Sequence, residues 1–384
     1  MEEAKMKLTL KTLKAVNNVF GRLCKLGRWT DFVSENKYNE LAKQSLNCIV
    51  TYMLATHIET AGVKVRWEMF PKIAIYRSFQ KAYVYFDILE DTIDEICSLE
   101  GIKQNAFEKV TREIIAKETD LQFASFICEG RNIFENQIYR AATKIATYIE
   151  LMENQSKMNG EYIFKLQQIV ASLEKYKRIP GVTEFTNVES PTFKVLQNLS
   201  RLRNQNRWAG HFCSVECSVL GHLFDTAILA YFMSLENNSE DEEMATRMFF
   251  MGIYHDVAEN WTKDIPSPIK DRVPGFRKAT ERFELKMIDV HVYQKVKESI
   301  AHALKKVMLE DEKNKEFKRL IKGADYLAAD SECWRQYKAG TRDEYFKKAT
   351  LERKERLDSG IEFITPTCRQ LYDYFVEYEQ GLNI

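Results

Sequence analysis

The stretch from Met251 to Lys270, MGIYHDVAENWTKDIPSPIK, decides how the rest of the chain is read. It begins as the end of an apolar helical run and reaches an adjacent pair, His255-Asp256. Glu259 follows one turn later, and the run leaves through a loop carrying Asp264, Pro266, Pro268 and Lys270. An imidazole beside a carboxylate offers two of the ligand types that a transition-metal ion accepts. Glu259 falls at i+4 from His255 and i+3 from Asp256, so one continuous helix presents all three on one face. The prolines then end the helix, because each lacks a backbone N–H. A His-Asp pair alone is more often a polar helix end; the ordered acid and loop behind it give it weight.

Outward from this stretch, composition sets the frame. At 384 residues the chain exceeds what one core usually fills, which predicts two domains. Lys+Arg and Asp+Glu are both 56, so no global field favours a nucleic acid polymer or an anionic membrane, and any anion site must be local. With only 7 Pro and 15 Gly, and apolar residues at helical rather than alternating spacing, the expected class is all-α. Helices are expected near 5–26, 38–55, 73–96, 107–117, 120–128, 132–151 and 162–177. A second set is expected near 193–202, 215–234, 244–261, 283–307, 317–337, 342–357 and 367–379. The Pro- and Gly-containing segment 178–191, RIPGVTEFTNVESP, reads as a linker, and the acidic run 236–243 as a solvated connector. No stretch of about 18 residues reads as apolar enough to span a bilayer. The 8 scattered cysteines predict reduced thiols and a cytoplasmic location.

The two sets of helices resemble each other. Arg28-Trp29 recurs as Arg207-Trp208, Ile75-Tyr76-Arg77 as Ile253-Tyr254-His255, and Glu161-Tyr162 as Glu344-Tyr345, all at an offset of about 180 residues. This predicts two helical domains in tandem, 1–180 and 195–384. At the same offset Gln44 stands for His222, Arg77 and Ser78 for His255 and Asp256, Lys81 for Glu259, and Thr143 for Asp325. The first copy therefore lacks every metal-type ligand, and two cations, Arg77 and Lys81, stand where a dication would sit. The pair of copies is expected to face each other as an intramolecular pseudo-dimer, with a homodimer of chains as the other arrangement.

A second imidazole for the site must come from elsewhere, and His222, early in an apolar helix, is the best placed. Asp325 sits in the helical run KGADYLAAD, where Gly323 and Ala324 allow close approach of a neighbouring helix. Taken together, Arg207-Trp208, His222, His255-Asp256, Glu259, the loop 262–270 and Asp325 resemble the bacterial HD-domain 5'-deoxynucleotidases of the HD phosphohydrolase superfamily. The resemblance covers roughly residues 195–384.

The resemblance implies that His222, His255, Asp256 and Asp325 ligate one divalent ion, whether manganese, cobalt, iron, zinc or magnesium. It implies Glu259 as the catalytic acid/base, and Arg207, Trp208 and Asp264 as contacts of a nucleotide substrate. Two departures stand out: Gly221 replaces the acid the family usually has before the first metal histidine, and Lys263 replaces the glycine before the loop aspartate. The expected reaction removes the 5'-phosphate from a (deoxy)nucleoside monophosphate. The alternatives are hydrolysis of a nucleoside triphosphate or cyclic nucleotide, and a non-catalytic nucleotide-sensing or partner-binding protein. Each residue also has a plain structural reading: His222 as a core histidine, Asp325 as the ion-pair partner of Lys322, Trp208 as core. A rival zinc site would combine His211, Cys213, Cys217 and His222.

Overall fold

The computed structural model describes residues 7–30, 34, 37–102, 105–129, 133–154, 160–263, 265, 267–308, 315–360 and 362–379. Among these the chain is helical throughout, as expected of an all-α protein. The strand-like pairings among the described residues are two isolated antiparallel bridges, Gly27 with Asn39 and Asn206 with Ser218. Each bridge closes a loop just ahead of a long central helix, Glu40–Thr60 in the first case and Val219–Asn237 in the second. Asn39 caps the first by accepting from the Ala42 N–H, and Ser218 caps the second by accepting from the Gly221 N–H.

Both central helices are buried almost all round, the signature of a helix at the centre of a large core. Val219–Asn237 is in fact long and apolar enough to cross a membrane, contrary to the expectation that no stretch is. Its apolar window is 94% buried inside the protein, because neighbouring helices cover every face. Helix Glu242–Tyr254 returns antiparallel beside it. A Cβ built at Gly252 would lie 2.5 Å from Ala227 Cα, so the absence of a side chain at 252 sets how closely these two helices approach.

One apolar core runs through both halves of the chain. Tyr254 Oη donates to the Ile49 carbonyl at 3.0 Å and Tyr52 Oη to the Ala303 carbonyl at 2.9 Å, so the halves are joined by directed bonds as well as apolar area. The segment 178–191 is packed rather than tethered. It forms a short helix, Val182–Thr186, buries Val182 and Phe185, and uses Ser190 to cap helix Pro191–Ser200. Its polar residues had suggested a loop; they serve caps and ion pairs, such as Glu184 with Lys297 at 2.6 Å.

The halves also meet through polar and close side-chain contacts. Lys37 pairs with Glu216, 179 residues further on. The Ser200 hydroxyl donates to Glu153, and at another contact between the halves a Cβ built at Gly21 would touch Arg335 Cδ at 3.6 Å. Trp29 and Trp208 share the rare left-handed backbone, with φ of 58° and 61°.

Three expected helices are interrupted. The run 73–96 begins earlier, passes through a π-turn at Lys81–Tyr85, and resumes at Glu90–Leu99. The run 283–307 passes through a similar turn at Asp289–Tyr293. The run 244–261 stops at Tyr254, and Glu259–Thr262 is a separate short helix.

Candidate metal centre

Three helices bring four ligand-type residues together. His222 comes from the first turn of Val219–Asn237, His255 and Asp256 from the end of Glu242–Tyr254, and Asp325 from the middle of Lys315–Lys338. One donor atom from each lies within 4.8 Å of the others, and among the described residues this is the cluster able to hold a metal ion. The His222 and His255 rings stand 5.6 Å apart, the consequence of the close helix pair at Ala227 and Gly252.

The hydrogen bonds of the two imidazoles fit them for a metal. His255 Nδ1 lies 2.8 Å from the Gly252 carbonyl, an obligate acceptor, so Nδ1 donates there and Nε2 faces Asp256 Oδ2 at 3.0 Å. His222 Nδ1 lies 3.0 Å from Glu332 Oε1 and its Nε2 2.8 Å from Asp325 Oδ1. Each ring thus has Nδ1 held from behind and Nε2 aimed into the cluster, the arrangement that orients metal-ligating histidines. With their Nε2 protons displaced by a bound ion, the two imidazoles and two carboxylates would form a donor set suited to a first-row divalent ion.

Electrostatics keep the carboxylates ionised. Burial works against charge on Asp256, but His255 outweighs it and holds the carboxyl well below its usual range. Burial likewise opposes charge on Asp325, and Lys322 with His222 overcomes it. Lys322 Nζ sits 2.5 Å from Asp325 Oδ2, so Asp325 is both an ion-pair partner and a cluster member. Burial and Arg207 both oppose a charged His222, yet Glu332 and Asp325 raise its pKa to about 9.

Glu332 is the residue that sequence reading missed. Fully buried, it accepts from Arg207 Nε at 3.0 Å and Trp208 Nε1 at 2.8 Å while supporting His222 Nδ1. Burial opposes its charge, but Arg207 and His222 lower its pKa to about 2. Its position seven residues after Asp325, two turns along the same helix, was the available signal. Arg207 and Trp208 are therefore anchored on the carboxylate behind His222.

Glu259 is buried and opens its short helix, its N–H bonded to the Asp256 carbonyl at 3.1 Å. It does not share a continuous helix with His255, as the spacing had suggested, because the chain turns between them. Asp264 lies outside the described residues. Gly323 does admit a close neighbour, but a loop rather than a helix: a Cβ there would lie 1.8 Å from the Phe363 carbonyl oxygen. The rival zinc site does not assemble. His211 stacks on Tyr345 at 3.5 Å, and Cys217 is a buried free thiol beside the Val215 carbonyl.

Residues 194–377 match the family described as 5'-deoxynucleotidase YfbR-like. The match spans nearly the whole second half of the chain. A 5'-deoxynucleotidase of Yersinia pestis (strain Pestoides F) is 28% identical over 158 residues, which is 41% of this chain and 80% of that protein. A 5'-deoxynucleotidase of Yersinia pseudotuberculosis serotype O:3 (strain YPIII) matches to the same extent. The YfbR-like segment contains all four cluster residues, Glu259, the Arg207-Trp208 pair and Glu332.

Proposed function

We propose that the YfbR-like half hydrolyses nucleoside 5'-monophosphates, with a preference for deoxynucleotides, using one divalent ion held by His222, His255, Asp256 and Asp325. The observation that carries this reading is the convergence of two imidazoles and two carboxylates, one buried and one half-buried, within 4.8 Å, with both Nδ1 atoms engaged behind. A divalent ion bound there would polarise a phosphoryl oxygen and acidify a water molecule. Glu259 serves as the proton carrier: its carboxylate accepts the proton of the attacking water and returns it to the departing 5'-oxygen as the P–O bond breaks. Arg207, fixed by Glu332, directs its fork of donors toward the phosphate. Trp208 walls the nucleotide, and Asp264 accepts from a sugar hydroxyl.

Phosphate release from a panel of nucleoside mono-, tri- and cyclic phosphates with added manganese, cobalt or magnesium tests this reading. The expected result is release from deoxynucleoside monophosphates by the wild type, and a large loss in Asp256→Ala and Glu259→Ala. Equal rates in all three proteins would overturn the site assignment. Turnover of only triphosphates or cyclic nucleotides would replace the substrate class, and tight nucleotide binding without turnover would leave a sensor.

The first half is read as a second, metal-free copy, and the chain as a pseudo-dimer. Support comes from the matching bridges and caps, and from the buried acid that holds each Arg-Trp pair, Glu150 for Arg28-Trp29 and Glu332 for Arg207-Trp208. Reciprocal contacts of the kind a two-fold axis generates add to it. The caps sharpen the register: His222 stands four residues after Ser218, and Lys43, not Gln44, stands four residues after Asn39. Cleavage at a protease site inserted near Asn187 tests the two-copy reading: the fragments should stay together on a sizing column. Eight free cysteines favour a reducing compartment such as the cytoplasm.

A further inference from the structure

We propose that the first half carries its own ligand site: a metal-independent pocket for a phosphate group, either free or borne by a nucleoside monophosphate. The site is a cavity of about 100 Å³ beside the first central helix, where Lys43 takes the position that His222 takes in the second half. Its lining carries six cationic residues, Arg28, Lys43, Arg77, Lys81, Arg140 and Lys144, against two carboxylates, Glu40 and Glu90. That imbalance in a recessed space calls for an anion with more than one negative charge.

The bonds already made leave donors in excess. Arg77 and Arg140 share the single carboxylate of Glu90, at 3.2 and 3.1 Å. Lys43 is 1% exposed, yet its ammonium bonds only to neutral oxygens, the Thr143 carbonyl at 3.0 Å and the Thr147 hydroxyl at 2.5 Å. Lys81 Nζ reaches the Ile88 carbonyl at 2.9 Å. Among the described residues neither lysine has a carboxylate within ion-pair distance, and Arg140 Nε is a buried donor without an acceptor. Burial pushes the Lys43 ammonium well below its usual range, a cost that a bound anion would offset. A phosphate accepts from several directions at once, which matches donors arriving from three helices.

A second cavity, of about 280 Å³, adjoins the first through Arg28, Glu40 and Lys81 and opens beside Trp29 and Phe86. Phe86 is 44% exposed, a large apolar ring left at the mouth of a cationic pocket. With the phosphate in the inner cavity, the outer one offers ring faces and volume for a nucleoside.

The test uses the full chain carrying Asp256→Asn, freed of divalent ions on a chelating resin, so that its outcome does not depend on the hydrolase reading. Calorimetric titration with inorganic phosphate and with a deoxynucleoside 5'-monophosphate should each give one site per chain. Adding Lys81→Met or Arg140→Gln should weaken binding about tenfold or more, with the near-ultraviolet circular dichroism unchanged. A nucleotide bound much more tightly than phosphate identifies the nucleotide as ligand; equal affinities identify phosphate itself. The proposal fails if the folded protein takes up neither at millimolar concentration. It also fails if both pocket variants bind as tightly as their parent. Lys81 lies near the surface, so its substitution keeps the test readable if Arg140→Gln does not fold.

Discussion

Glu332 Oε1 lies 3.0 Å from His222 Nδ1, on the opposite edge of the ring from Asp325. The carboxylate fixes the imidazole's tautomer and makes Nε2 a stronger donor to a metal. Glu332→Gln keeps the shape and removes the charge. It should lower metal affinity by about 10- to 100-fold, measured by competition against a chromophoric chelator. Unchanged affinity would reduce Glu332 to a packing residue.

Metal binding should also register as stability. A ligand at a hundred times its dissociation constant stabilises the folded state by about 2.7 kcal/mol. Saturating manganese should therefore raise the melting temperature of the wild type by several degrees and leave Asp325→Asn unmoved. An equal rise in both would place the bound ion elsewhere.

The helix pair that spaces the two histidines depends on Gly252. In Gly252→Ala the new methyl meets backbone at Ala227 from 2.5 Å, and overpacking of this kind costs about 1–3 kcal/mol. Gly221→Ala makes a useful comparison. Its methyl would meet side chains rather than backbone, Leu41 at 3.3 Å and the Ser218 hydroxyl at 3.4 Å, so its urea midpoint should fall far less. Similar midpoints for the two variants would contradict the close crossing.

Glu379 supplies a pH dependence remote from the metal. Burial, helped by the charge of Asp330, raises its carboxyl to about 8 from an ordinary 4.5. Between those values the folded chain holds a proton that the unfolded chain has released, so this group's contribution to stability falls as pH rises through the window. Glu379→Gln removes the slope. Its melting temperature should exceed the wild type's at pH 9, by about 1 °C for each kcal/mol relieved, and match it near pH 4. A difference that does not change with pH would rule this out.

Much of the site was legible because its chemistry is unusual in order as well as in kind. His222, His255-Asp256 and Asp325 lie on three helices, and the structure brings them together. Glu332 was not legible, since an acid in an Asp-Ser-Glu run has no local mark of burial; only its distance from Asp325 along the helix hinted at a shared face. The helix break after Tyr254 escaped for a different reason. No glycine or proline marks it, and His255 sits there with its own Nδ1 on the Gly252 carbonyl, a side-chain bond competing with the backbone ladder. Under the two-copy proposal, short sequence matches align Gln44 with His222, whereas the caps at Asn39 and Ser218 align Lys43 with it. All-α class came from the spacing of apolar residues, while the packed state of 178–191 came from tertiary contacts that its composition does not record.

The Tyr254 hydroxyl bonded to the Ile49 carbonyl has a further consequence. Tyr254 immediately precedes the histidine-aspartate doublet, so the helix end that carries two members of the candidate metal cluster is held by the other half of the molecule. The stretch recognisable by kinship and the stretch able to stand alone are then not the same. Excision of 194–377 would remove a support of the candidate metal cluster, bare the apolar flank of Val219–Asn237 to water, and yield a fragment that has the cluster residues without the frame that aims them.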